Sequence, residues 1–113
     1  SDDASTPYLT LYIQCNTLNP MTFEWDEEKN LSNFRKHGVW FEEAQTVWAD
    51  ESSSEFFDPE HSESEARFIR VGYSSVHRLL LVAFCERSDG DIIRLISARR
   101  ASRSERRQHE EGI

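Results

Sequence analysis

The stretch that most limits the fold is Arg78–Glu86, RLLLVAFCE. Its core is an unbroken apolar run from Leu79 to Cys85. That is far short of the ~20 residues of a membrane span, and it suits a central strand buried on both faces. Turn signals bound it: Ser74–His77 reads as a hairpin loop and Ser88-Asp89-Gly90 as a tight turn. Before it lies Arg67–Tyr73, RFIRVGY, a second strand in which Gly72 is a candidate bulge. After it come Ile92, Ile93, Leu95 and Ile96, a third strand of β-branched and apolar residues. Three consecutive strands with short connections pair antiparallel.

The preceding residues read as helical. Phe23–Trp25 is a short apolar strand, and Asp26 is a good N-cap with Glu27 and Glu28 in the first turn. The helix runs to His37, with Leu31 and Phe34 as its expected buried stripe, and Gly38 as its left-handed stop. A second helix spans about Phe41–Ala49, with Phe41, Ala44, Val47 and Trp48 on its apolar face. Trp40 stands where its capping residue belongs, so that cap must come from elsewhere or the first turn frays. Ser54–Phe57 can start a strand, and Asp58–Ala66 is a polar, acidic loop containing Pro59. At the other end, Ser102 and Glu105 form a capping box that opens a terminal helix. The expected class is α+β: a small antiparallel sheet, two helices packed on one face, and a C-terminal helix.

Two segments are expected. Residues 21–113 hold the regular pattern, which begins directly after Met21, the only methionine. Residues 1–20 read as an N-terminal extension, an added start. Within it Tyr8–Ile13 alternates as an edge strand between the breakers Pro7 and Pro20, able to pair with this sheet or a neighbour's. Cys15 and Cys85 lack any ligand spacing and read as free thiols of a reducing cytosol. With no apolar span and no basic leader, the expected location is cytoplasmic.

Net charge is −8, which alone argues against a nucleic-acid partner. Its distribution argues otherwise. Residues 1–66 hold fifteen acids against three bases, whereas residues 67–107 hold ten arginines against four acids. If the fold separates these halves, a basic face can meet phosphate.

Guanidinium is planar, permanently charged and fork-shaped, matching a phosphate edge. Cleaving RNA without a metal requires activation of the 2′-OH, stabilisation of phosphorane charge and protonation of the departing 5′-oxygen. Arg67, Arg94 and Arg99 are the candidate phosphate cluster, provided that they gather in one groove. A cross-strand ion pair is the alternative for Arg67 and for Arg94. His37 is the candidate acid–base, since imidazole titrates near neutral pH. Its ordinary alternative is hydrogen bonding to carbonyls at the helix end. Lys36, Arg100 and Arg103 are candidate RNA contacts or a solvated face. Glu65 is a base or an orienter of Arg67, and Glu105 is a cap that can also pair with an arginine. Tyr73, Phe68 and Phe84 can stack bases, although core packing suits the two phenylalanines better. His61, His77 and His109 read as surface residues. No metal-ligand spacing or phosphate-cradling glycine loop occurs, so no cofactor is expected.

Three segments in this order carry a family resemblance: FEWDEEKNLSNFRKHGVWFEEAQTVWAD, the acidic loop with His61 and Glu65-Ala66-Arg67, and IRLISARRASRSERR. Lys36-His37-Gly38 and Ile96-Ser97-Ala98-Arg99-Arg100 are the most specific parts. Together they closely resemble the BrnT family of ribonuclease toxins over about Thr22–Glu111. Trp40 and residues 1–20 depart from the usual pattern. The resemblance implies a RelE-like fold and an endoribonuclease that arrests translation. It also implies a BrnA-like ribbon-helix-helix antitoxin, with operator DNA bound only through that partner, and is compatible with a dimer. The competing reading is a non-catalytic toxin-like module that binds an antitoxin and modulates operon repression. A plain DNA-binding domain fits worst, because no basic recognition helix is evident.

Overall fold

The computed structural model describes residues 8–13, 21–61 and 65–112. Pro7, Cys15, Pro20, residues 62–64 of the acidic loop and the side chains of Tyr8–Ile13 lie outside the described residues. The described elements are β1 (Tyr8–Ile13), β2 (Met21–Asp26), α1 (Glu27–His37), α2 (Phe41–Ala44), β3 (Ser54–Phe57), β4 (Arg67–Tyr73), β5 (Leu79–Arg87), β6 (Ile92–Arg100) and α3 (Arg103–Glu111). A 3₁₀ turn, Gln45–Ala49, continues α2, and another, Pro59–His61, interrupts the acidic loop.

The strands form one sheet in the order β1-β2-β6-β5-β4-β3. β4 through β6 make the expected antiparallel meander, and β3 extends it by pairing antiparallel with β4. The expectation of a purely antiparallel sheet fails at β2, which runs parallel to β6 through Thr22–Glu24 and Ile92–Arg94. The reason is connectivity. β2 leaves the sheet through two helices, and such a crossover frees its direction from the hairpin rule. β1 pairs antiparallel with β2 of the same chain.

α1 and α2 cover one face. Phe23, Trp25, Phe41, Val47, Leu80, Val82, Phe84 and Leu95 meet there, all essentially inaccessible to solvent. Phe23 and Phe84 set their rings edge-on to Trp48 at 5.1 and 4.9 Å, a favoured aromatic geometry. Phe68 stacks on Phe84 at the margin of this core, so both serve packing. Gly72 lies in regular register with Leu80 and marks no bulge. It is glycine because an added Cβ would sit 2.6 Å from Ser53 Cβ and 2.9 Å from Val47 Cγ1.

The stripe expected on α1 is reversed. Leu31 and Phe34 are exposed, and Asn30 and Asn33 are the buried residues. β2 stops pairing with β6 at Arg94, so the outer edge of β6 beyond that point needs other partners. Asn33 supplies them. Its Nδ2 donates to Ala98 O at 2.9 Å and Val39 O at 2.9 Å, and its Oδ1 accepts from Ala98 N at 3.0 Å. A side-chain amide thereby does what a strand neighbour would. Asn30 Oδ1 accepts from Phe41 N at 2.7 Å, which satisfies the first turn of α2 that Trp40 cannot cap.

The sheet's other face is covered in part by α3, which has no buried residue. It is fastened by polar contacts, including Tyr73 Oη to Glu110 Oε2 at 3.0 Å. Between α3 and Ile69, Val71 and Leu81 runs an apolar groove of ≈ 590 Å³. None of the helices among the described residues is long and apolar enough to cross a membrane.

Candidate active site

Arg94 and Arg99 have opposite parity in β6, so a regular strand would send them to opposite faces. A bulge changes this. Ser97 pairs with Ala83 and Leu95 with Phe84, leaving Ile96 as the extra residue. After it Arg99, paired with Leu81, emerges on the same face as Arg94, paired with Cys85. Arg67 also pairs with Cys85, from the other side. All three arginines therefore share the face that carries α3.

They divide between its two ends. Arg67, Cys85 and Arg94 form one cross-strand row, about 13 Å along β5 from the Leu81–Arg99 row at ~3.3 Å per residue. In the first row Arg94 lies 3.7 Å from Glu24 Oε2, and Arg87 lies 3.7 Å from Glu24 and 3.8 Å from Glu65. The cross-strand pairing open to Arg94 is thus present. Glu65 is positioned beside Arg87 and Cys85. Burial, followed by the Glu65 charge, pushes the Cys85 thiol above its ordinary range.

Between the rows the floor is small: Ala83 and Ser97. A hollow of ≈ 100 Å³ opens there, lined by His37, Ile69, Leu81, Ala83, Ser97, Ala98 and Arg99. His37 reaches it because α1 runs along the β6 edge and ends at Gly38, whose φ of 72° is the left-handed stop. Asn33 locks that end of α1 to Ala98, the residue before Arg99. Arg78 braces the stop from below, donating from Nη2 to Gly38 O at 3.1 Å and from Nε to Glu43 Oε2 at 2.9 Å. Burial pushes the Glu43 carboxyl up, but hydrogen bonds from Arg78 and Ser74 and the charges of Arg78 and Arg100 bring it below its ordinary value.

Arg99 is held by a fork-to-fork pair, Nη1 to Glu105 Oε1 at 2.9 Å and Nη2 to Glu105 Oε2 at 2.8 Å. Glu105 also completes the capping box, accepting from Ser102 N at 2.8 Å while its own N–H donates to Ser102 Oγ at 3.2 Å. The Arg99 hydrogen bonds, against some burial, and the Ser102 N–H hold the Glu105 carboxyl at about 2. A carboxyl lowered on folding stabilises the fold above its unfolded value of 4.5, and that contribution disappears as pH falls through about 2. Acid titration followed by amide exchange over Ser102–Arg107 is therefore expected to show α3 loosening between pH 4 and 2. In Glu105→Gln this step should be absent.

The remaining candidates are dispersed. Lys36 is exposed on the β6 side of α1, next to the hollow. Arg100 pairs with Leu80 and lies near Glu43, away from Arg99. Arg103 is exposed in the first turn of α3. His61 sits 3.0 Å from Asp58, and His77 occupies a hairpin loop at φ 68°. His109 packs edge-on to Tyr73. Among the described residues no three His, Cys, Asp or Glu side chains gather as metal ligands.

Sequence periodicity missed Asn30, Asn33, the Arg78–Glu43 brace and Ser97. The available signal was two asparagines at i, i+3 inside a helix, where their propensity is poor and a tertiary partner is the usual compensation.

The fold and site define a small mixed-sheet α+β domain with three arginines on one sheet face and an imidazole at a helix end. The profile for "Ribonuclease toxin, BrnT, of type II toxin-antitoxin system" matches residues 25–105. This chain belongs to that family, the BrnT ribonuclease toxins of type II toxin–antitoxin systems. A crystal structure of the Brucella abortus ribonuclease toxin BrnT is similar at 25% identity and a TM-score of 0.53, covering 70% of this chain and 94% of that one. No curated protein matches the chain.

Proposed function

We propose that this toxin cleaves RNA without a metal ion, using Arg99 and His37 as its reacting pair, and thereby inhibits translation. The observation that carries this reading is that both residues line one hollow, at the place where the bulge re-aims β6. The ribose 2′-oxygen attacks the adjacent phosphorus, losing its proton, and the bond to the 5′-oxygen breaks as that oxygen gains one. His37, which lines the hollow, carries a proton in this exchange. The Arg99 fork, on exchanging Glu105 for phosphate oxygens, supplies the positive charge that the phosphorane requires. Arg67 and Arg94, with Arg103 and Lys36, extend the basic surface for the RNA strand, and Glu65 and Glu105 orient arginines. Arg100, turned toward Glu43, is a weaker candidate contact.

The partner is a BrnA-like ribbon-helix-helix antitoxin, through which operator DNA is reached, and the complex forms in the cytoplasm around one or two toxin copies. Residues 21–113 form the toxin domain, RelE-like in type, and residues 1–20 are an extension whose β1 widens the sheet. Incubating the purified chain with RNA and EDTA tests the chemistry. Products ending in a 2′,3′-cyclic phosphate are expected. The pairing of Arg99 with Glu105 and of Arg94 with Glu24 favours a second reading, a non-catalytic antitoxin-binding module. Intact RNA beside folded protein that still binds its antitoxin would select that one.

A further inference from the structure

Two lysines gather on one flank of α1. Lys29 and Lys36 are seven residues apart, two turns of one helix face, about 10 Å along the axis. With Ser32, Asn33, His37, Ile96 and Ser97 they line an open groove of ≈ 280 Å³. His37 and Ser97 line the neighbouring hollow as well, so the groove and the hollow adjoin. The groove's lining offers two ammonium groups and two hydroxyls, and no carboxylate.

The pairing of charges sets this flank apart. Arg70, Arg78, Arg87, Arg94, Arg99 and Arg106 each face a carboxylate of the chain. Among the described residues neither Lys29 nor Lys36 does, although the chain carries a net charge of −8. Two like charges on one helix face, neither with a counter-ion among the described residues, leave room for an external anion. The bulge contributes too, because Ile96 is displaced from the ladder and Ser97 is presented at the junction of the groove and the hollow.

We propose that Lys29, Ser32 and Lys36, set over the Ile96 bulge, form a second phosphate subsite that holds a backbone phosphate neighbouring the cleaved linkage of a single-stranded RNA. This rests on the reading of the adjoining hollow as the cleavage site. The strand then runs from the α1 flank across Ser97 to Arg99. Ammonium groups are point charges without the directional fork of guanidinium, so this contact is indifferent to base identity.

Lys29 is exposed and lies outside the reacting pair, so its replacement leaves the fold intact. Binding of a non-cleavable, 2′-O-methylated oligonucleotide, titrated with salt, tests the subsite separately from cleavage. Lys29→Ala is expected to lower the slope of log K against log salt by about 0.7, the share of one phosphate contact on a single strand. Lys29→Glu should weaken binding further, whereas Lys29→Arg should restore the slope. With cleavable RNA, Lys29→Ala should raise KM several-fold on an oligonucleotide, leave kcat unchanged, and leave a dinucleotide substrate unaffected. A slope unchanged in Lys29→Ala, or wild-type protein that does not bind the oligonucleotide, overturns the subsite. Wild-type protein that binds with the expected slope but does not cleave overturns the nuclease reading and leaves the phosphate subsite standing.

Discussion

Replacing Asn33 with alanine is expected to destabilise the protein by roughly 3–5 kcal/mol, since each buried polar group left unpaired costs ~1–3 kcal/mol. The side chain is 6% exposed and serves three backbone groups, Ala98 N, Ala98 O and Val39 O. Without it, the outer edge of β6 loses its only described partner at Ala98, and the end of α1 loses its tie to the sheet. Urea denaturation should show a midpoint lowered by more than about 1 M, taking ~1–3 kcal/mol per M for a small domain. Asn33→Leu should fare no better, because an apolar side chain of similar size satisfies none of the three groups. A loss under ~1 kcal/mol in either variant would mean that water replaces the amide at this edge.

Arg99→Ala is expected to reduce RNA cleavage by ~10²–10³-fold, the usual consequence of removing one donor from a charge-stabilising site. Stability should change by no more than ~1 kcal/mol, because the Arg99–Glu105 pair is partly exposed and the capping box retains Ser102. Arg99→Lys should recover little, since one ammonium cannot present two parallel N–H donors to a phosphate edge. Single-turnover cleavage alongside thermal unfolding checks both parts. Full activity in Arg99→Ala would move the reacting centre to the Arg67–Arg94 row. Glu105→Gln separates the two influences on Arg99: a freed guanidinium should bind RNA more tightly even as α3 becomes easier to unfold.

Much of the architecture was legible because local signals agreed with the global pattern. Asp26, Gly38, Ser102 and Glu105 each cap as their residue types suggest. The apolar run of β5 does lie between two strands. The α1 stripe was misread because Leu31 and Phe34 recur at helical spacing, yet tertiary need outranks hydrophobic periodicity there. The exposed edge of β6 requires hydrogen bonds, which asparagine can supply and leucine cannot. Phe34 instead stacks on Trp40 at 4.1 Å in partial solvent contact. The direction of β2 could not be read because a long crossover leaves it open.

How the candidate site residues are grouped was not legible in the sequence. Arg67, Arg94 and Arg99 do share a face, but strand spacing sets Arg99 far from the other two. His37 joins Arg99 only through an α1–β6 contact 65 positions apart in sequence. Glu105 was recognisable as a cap, and its second engagement with Arg99 emerges only when α3 folds back.

The extra residue at Ile96 works like a half-twist in a ribbon, deciding on which side everything after it appears. Deleting one amino acid between Leu95 and Ala98 would leave composition, charge and hydropathy almost untouched. It would remove the bulge, and Arg94 and Arg99, then four positions apart in a regular strand, would still share a face. Relatives that lack one residue at this position should therefore keep the same charge map on a straighter strand, whereas one residue more, without a second bulge, would turn Arg99 inward even where every arginine is retained.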